Sequence, residues 1–235
     1  MLKINLHFHS AEDTRHLISY SLREALDKAH EQHFDALALT CHRRFAYNEA
    51  NRAYAAAKGI LLIPGIEADI YDETGRSAHV IILNGDKDTE QVRTFPDLRS
   101  YKQSHPECFV LAPHPYFYGS FSLQENLEKN IDLFDAIEHS WFYTTFFNRN
   151  KKARMIAEKY RKPFIATSDA HFLEVFESDY ALVDTDQKTP EAIFTAIKAG
   201  LFQNISKPRN VIGTFVRFGW YTLVEECRLL LKRRV

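Results

Sequence analysis

Six of the histidines, His7, His9, His42, His79, His114 and His171, stand at or beside the end of an apolar run. Glu67 closes L-L-I-P-G-I-E, and Asp169 follows F-I-A-T-S in the same manner. Neutral imidazole together with carboxylate suits zinc, manganese or iron. A carboxylate buried at the end of a core strand is costly unless a cation or a hydrogen-bond network compensates. His7 and His9 are two residues apart, as are Asp169 and His171, and strand residues at that spacing share a face, so each pair can address one ion. Taken singly, each histidine could be a satisfied core residue and Glu67 a cap or salt-bridge partner. Six coincidences at strand ends argue instead for a multinuclear metal site. His30, His33 and His105 lack this placement and are assigned to the solvated surface.

The elements that would carry these residues alternate in type. Short apolar runs predict strands at Lys3–Phe8, Ala36–Cys41, Leu61–Ile66, Ala78–Leu83, Phe109–Ala112, Phe134–Ile137, Phe164–Thr167 and Ala181–Val183. Pro64 and Gly65 suggest a kink or bulge before Glu67, and Y-D-E-T-G-R (71–76) reads as a hairpin turn. Between the strands lie a helix whose apolar positions run from Leu17 and Ile18 to Ala29, an Ala-rich helix at 48–58, a polar helix at 89–103, a short helix at 123–130, a helix at 147–160, and one capped by Thr189 and opened by Pro190. This β/α alternation predicts an α/β fold with a mainly parallel sheet, in which active sites form at the C-terminal ends of the strands.

Length and composition fit that reading. The chain of 235 residues, 45% hydrophobic and 26% charged, suits one large α/β domain. A barrel over residues 1–203 and an extension over 204–235 are expected. In the extension Trp220, Leu223, Val224, Cys227, Leu230 and Leu231 recur at helical spacing and predict a terminal helix that packs on the barrel or a subunit rather than on a membrane or nucleic acid. A formal net charge of -1 argues against a strong field for nucleic acid. The N-terminus has no signal-peptide pattern, no run could span a bilayer, and the three cysteines form no C-x-x-C pair. A reducing, cytoplasmic setting is therefore expected.

In order, H-x-H-S near the N-terminus, T-x-H after the second strand, G-I-E, a histidine before V-I-I-L, A-x-H-P and late S-D-A-H resemble the PHP (polymerase and histidinol phosphatase) superfamily of metal-dependent phosphoesterases. The resemblance implies a distorted (β/α)7 TIM-like barrel and a cluster of two or three divalent ions, manganese, zinc or iron. It implies His7, His9, Glu67 and Asp169 around a first metal, and Glu67, His79 and His114 around a second. His42 and His171 would hold a third with a residue of S-A-E-D-T-R-H, where Asp13 is preferred, His16 is the rival and Glu12 the weaker choice. The family often has Asp where this chain has Asn5 and Cys41. Cys41 faces away from its neighbour His42 and is expected in the core.

The implied reaction is hydrolysis of a small phosphomonoester, a nucleotide or the end of a short oligonucleotide by metal-activated hydroxide, with Glu67, Asp169 and His171 as catalytic residues. Arg43 and Arg44 follow His42 and are candidates to bind phosphate, with Arg15 and Arg149 in neighbouring loops. Tyr116, Phe117, Tyr118, Trp141, Phe142 and Tyr143 either stack on a base or line the core beneath their loops. The expected partner is a phosphorylated small molecule, with no membrane association and no stable nucleic-acid complex; the oligomeric state is open. Two alternatives stand beside this reading. One is a non-catalytic PHP-like binding module, and the other is a metal hydrolase of C–N or C–O bonds.

Overall fold

The structure, a computed structural model, describes residues 1–117 and 121–209. Tyr118 and the amphipathic pattern from Trp220 to Leu231 lie outside the described residues. Strand β1 (Leu2–Phe8) leads to helix α1 (Leu22–Glu31), then β2 (Ala36–Leu39) and α2 (Glu49–Ala57). A long hairpin, β3 (Leu61–Tyr71) and β4 (Ser77–Leu83), precedes α3 (Phe95–Ser104), β5 (Phe109–Ala112) and α4 (Glu125–Lys129). The chain continues through β6 (Ala136–Ser140), α5 (Asn150–Lys159), β7 (Phe164–Thr167), β8 (Asp179–Val183), α6 (Pro190–Lys198) and β9 (Phe202–Ser206).

The strands form one sheet in the order β7-β6-β5-β4-β3-β2-β1-β8-β9, curled into a nearly closed, distorted TIM-like barrel. Strand β4 runs antiparallel to both neighbours, β8 runs antiparallel to β1, and the β1–β2–β3 and β5–β6–β7 pairings are parallel. Closure is made by side chains as much as by backbone. Asn204 on β9 accepts from Ala166 N–H at 2.8 Å and donates to Phe164 O at 2.7 Å, standing in for a pair of sheet hydrogen bonds along the edge of β7. Asn5 bonds both the hydroxyl and the N–H of Ser168, and Phe8 bridges Ala170. Asn5, where the family often has aspartate, is thus part of the seam.

Three packing groups follow from strand alternation. The barrel interior holds Ile4, Ala36, Ala38, Ile63, Ile81, Leu83, Phe109, Leu111, Ala136 and Ile165, and is plugged by Ile193, Phe194 and Ile197 of α6. Outer layers bury α1 and α2 on one side and α3 to α5 on the other. Cys41 lies in the outer core. No described helix is long and apolar enough to cross a membrane.

Several boundaries differ from expectation for identifiable reasons. Helix α1 starts after Leu17 and Ile18 because Ser21 and Glu24 form a reciprocal capping box, which leaves residues 11–20 as the loop carrying Asp13, Arg15 and His16. The polar stretch 89–103 divides into a 3-10 turn at Lys87–Gln91 and α3, since Thr94 and Asp97 cap a new start there. Pro64-Gly65 makes no break. Strand β3 pairs with β2 up to Pro64 and with β4 from Gly65, so this is where it changes partner. Strand β9 (Phe202–Ser206) crosses residue 203, the expected end of the barrel, and adds a strand to the sheet.

Candidate metal centre

On strand after strand the inner-face residues are apolar low in the barrel and polar at its mouth. Ala36 and Ala38 give way to His42, Ile63 to Glu67 and Asp69, Ile81 to His79 on the reversed strand, Ala136 to Glu138, and Ile165 to Thr167. On β1 the register shifts between Asn5 and Phe8. Leu6 belongs to the interior and Phe8 to the outer layer, so the irregularity re-aims His7 and His9 inward.

Four donor atoms then converge. His7 Nε2 lies 3.1 Å from His9 Nε2, 3.3 Å from Glu67 Oε2 and 3.3 Å from Asp169 Oδ1. His9 Nε2 lies 3.3 Å from the same Glu67 oxygen and 3.2 Å from the same Asp169 oxygen. Separations of 3.1–3.3 Å are those of ligand atoms about 2.0 Å from a shared ion, the bond length of zinc to nitrogen or oxygen. The residues present fit a metal ion.

The outer ring nitrogens explain why the inner ones are available. His7 Nδ1 donates to Glu138 Oε1 at 2.8 Å, His9 and His42 Nδ1 donate to Asp13 Oδ2 at 2.9 and 2.8 Å, and His171 Nδ1 donates to Asp169 O at 3.0 Å. With the Nδ1 proton held outside, any proton a metal displaces leaves from Nε2, whose lone pair is then directed inward. Glu67 spans two groups. Its Oε2 faces His7, His9 and His42, and its Oε1 lies 2.7 Å from His79 Nδ1 and 3.1 Å from His114 Nε2. His9, His42 and His171 form a further group able to hold a cation.

Electrostatics favour positive charge here. Asp13, Glu67, Asp69, Glu138 and Asp169 are gathered against the two guanidinium groups of Arg15 and Arg43. Burial alone would lower the pKa of His7, yet Asp169, Glu138 and Glu67 outweigh it and raise it to about 10. Burial opposes ionisation of Glu67, but His79, His42 and His7 hold its carboxyl well below the usual range. Asp169 is held low in the same way, against its burial, first by His7 and His171. Burial drives His16 down to about 3, helped by His171 and His9. Cations bound among these carboxylates would offset the surplus of negative charge.

Asp13 sits behind the cluster. Its Oδ1 accepts from the N–H groups of Arg15 and His16, and its Oδ2 accepts from His42 N–H as well as from the two imidazoles. The rival, His16, places its ring 4.9 Å from His42 and 5.0 Å from His171.

Sequence reasoning missed Glu138, Asp69 and the role of Trp141. Glu138 is fully buried and also accepts from Thr167 Oγ1 and from His114 N–H. His114, Asp169 and Arg43 all have positive φ, a conformation that costs energy in non-glycine residues and is held here by these contacts. Trp141 Nε1 donates to Asp169 Oδ2 at 3.4 Å, and Arg209 covers the indole. Arg43 is committed to Asp69 through Nε and Nη2, whereas Arg44 is exposed and reaches Glu12 O at 3.3 Å. Among the loop aromatics, Tyr116 is buried under Lys152, Tyr143 packs on His139, and Phe117 meets Phe142 edge-on at 4.8 Å beside a small cavity next to His114 that Arg149 also lines.

Residues 147–201 match the family model described as PHP-associated. No curated protein sequence matches the chain significantly. PsfC from Pseudomonas syringae is 14% identical with a TM-score of 0.61, over 88% of this chain and 91% of that one. A candidate metal-dependent phosphoesterase from Bifidobacterium adolescentis is 12% identical with a TM-score of 0.56, over 72% of this chain and 87% of its own. The lesion-specific endonuclease Q of Pyrococcus furiosus is 14% identical with a TM-score of 0.61, over 88% of this chain but 60% of that longer protein. At such identities the likeness to these structures is one of fold. The similarity thus consists of a PHP-associated segment at residues 147–201 and a TIM-like barrel shared with these structures.

Proposed function

We propose that this chain is a metal-dependent phosphoesterase that hydrolyses a small phosphomonoester, a nucleotide or an oligonucleotide end with two or three divalent ions. The observation that carries this reading is the convergence of Glu67 and Asp169 on the inner nitrogens of His7 and His9 at 3.2–3.3 Å, joined through the second oxygen of Glu67 to His79 and His114. When bound, the ions supply Lewis acidity toward the phosphoryl group and lower the pKa of the attacking water. Glu67 keeps the two groups at a fixed separation. Asp13 and Glu138 fix ring tautomers, and Trp141 fixes Asp169. For the third group we prefer His16 with His42 and His171, because both oxygens of Asp13 are engaged behind the rings. Arg43 and Arg44 remain candidates for binding a phosphate of the substrate. An oligonucleotide substrate has support in the endonuclease Q neighbour crystallised with a 27-mer duplex bearing an abasic lesion at its active site.

The test is hydrolysis of phosphomonoesters, nucleotides and 5′- or 3′-phosphorylated oligonucleotides by chain loaded with manganese, zinc or iron. Turnover lost in Glu67→Gln supports the reading. Full loading with no turnover on any of them favours a binding module, and release of amines from cyclic amides favours C–N hydrolysis.

A further inference from the structure

Two arginines share one buried carboxylate beside the second metal group. Asp69 follows Glu67 by two residues on β3 and is fully buried. Arg43 places Nε and Nη2 on its Oδ2, which suffices to balance its charge. Arg15 comes only within 3.7 Å of Oδ1, and its Nη1 lies 3.2 Å from His79 Nε2. The Phe121 ring lies 3.6 Å from the guanidinium carbon, and Phe121 in turn stacks on His79. Among the described residues, His79 and Asp69 are the only polar side chains that the Arg15 guanidinium touches. A guanidinium carries five donor hydrogens, so Arg15 is held flat and partly buried, at 21% side-chain exposure, with most of its donors uncommitted.

His79 sets the distance. Its Nδ1 faces Glu67 and its Nε2 faces Arg15, so an imidazole ring separates Arg15 from the atoms that would hold the second ion. A phosphate held at that ion leaves Arg15 to meet the next group along the substrate. The geometry points to Arg15 and Arg43, both held at Asp69, as a subsite for a second anionic group of the substrate, a phosphate or phosphodiester adjoining the phosphate that is cleaved. This rests on the phosphoesterase reading and narrows it to nucleotides with a further phosphate or to oligonucleotide ends. Arg44, which reaches Glu12 O where Arg43 reaches Asp69, is not part of the subsite.

The experiment compares a 5′-phosphorylated thymidine dinucleotide with the same molecule carrying an uncharged methylphosphonate linkage, using metal-loaded chain. A charge-assisted contact predicts about a tenfold fall in kcat/KM for the neutral linkage in the wild type. In Arg15→Gln that ratio is expected to shrink to about twofold or less. Thymidine 3′,5′-bisphosphate assigns the subsite to a terminal phosphate or to a diester, according to which substrate loses more in the variant. Equal turnover of the charged and neutral dinucleotides by the wild type overturns the proposal, as does an equal loss on both in Arg15→Gln. If no phosphate ester is hydrolysed, the phosphoesterase reading fails, and calorimetric titration of the chain with inorganic phosphate decides the subsite alone. Weaker binding in both Arg15→Gln and Asp69→Asn sustains it, and unchanged binding refutes it.

Discussion

Replacing Glu138 by glutamine keeps the side chain's shape and removes one acceptor, at a point where three donors meet. Glu138 takes His7 Nδ1–H and Thr167 Oγ1–H on one oxygen and His114 N–H on the other. If the new amide nitrogen faces His114, two N–H donors oppose each other at a ligand already held at positive φ. If it faces His7, the imidazole must move its proton to Nε2 and can no longer present a lone pair inward. Losing such an outer partner typically costs about 10- to 100-fold in metal affinity, or about 1.4–2.7 kcal/mol. Because His7 belongs to the first group and His114 to the second, both should weaken. Competition with a chromophoric chelator, counting ions per chain, measures this, and circular dichroism confirms that the variant is folded. Wild-type affinity and stoichiometry in folded Glu138→Gln would refute the idea that Glu138 sets the two ligands.

Two further predictions concern the scaffold. A methyl group at Gly65 would stand 2.8 Å from Leu83 Cδ2 and 3.1 Å from Leu39 O, so Gly65→Ala should cost about 1–3 kcal/mol in urea unfolding; an unchanged midpoint would show that β2, β3 and β4 can spread there. Burial, aided by Arg154, lowers the pKa of His139 to about 4, so its proton binds more readily in the unfolded chain. Its contribution is present above about pH 6.5 and is lost as pH falls toward 4, by at most about 3 kcal/mol. In His139→Phe, unfolding measured between pH 7.5 and 4.5 should show a shallower acid loss than the wild type, and an identical slope would contradict this origin.

The histidines were legible because a strand shows its buried face every second residue and a polar residue at the end of an apolar run breaks the pattern conspicuously. Glu138 follows the same rule, but ending the strand at Ile137 placed it in a loop, while the structure runs β6 to Ser140. Asp69 was hidden by expecting a kink at Pro64-Gly65, although β3 continues through Tyr71 with Asp69 on the face of Glu67. Strand β9, F-Q-N-I-S, carries little apolar signal because Asn204 serves closure through its amide. Choosing between Asp13 and His16 depends on which atoms of one loop face inward, and that is set by the folded loop and not by spacing. Leu17 extended the apolar rhythm of α1 beyond its start because periodicity carries no information about the cap at Ser21.

The most direct test of the metal centre is elemental analysis of anoxically purified chain, wild type beside Asp169→Ala. The account predicts about two to three tightly held transition-metal ions per chain, fewer in the variant, with protons released when metal is added back to stripped protein as His7 and His9 give theirs up. Folded wild-type protein that contains no metal and takes up neither manganese, zinc nor iron would contradict it.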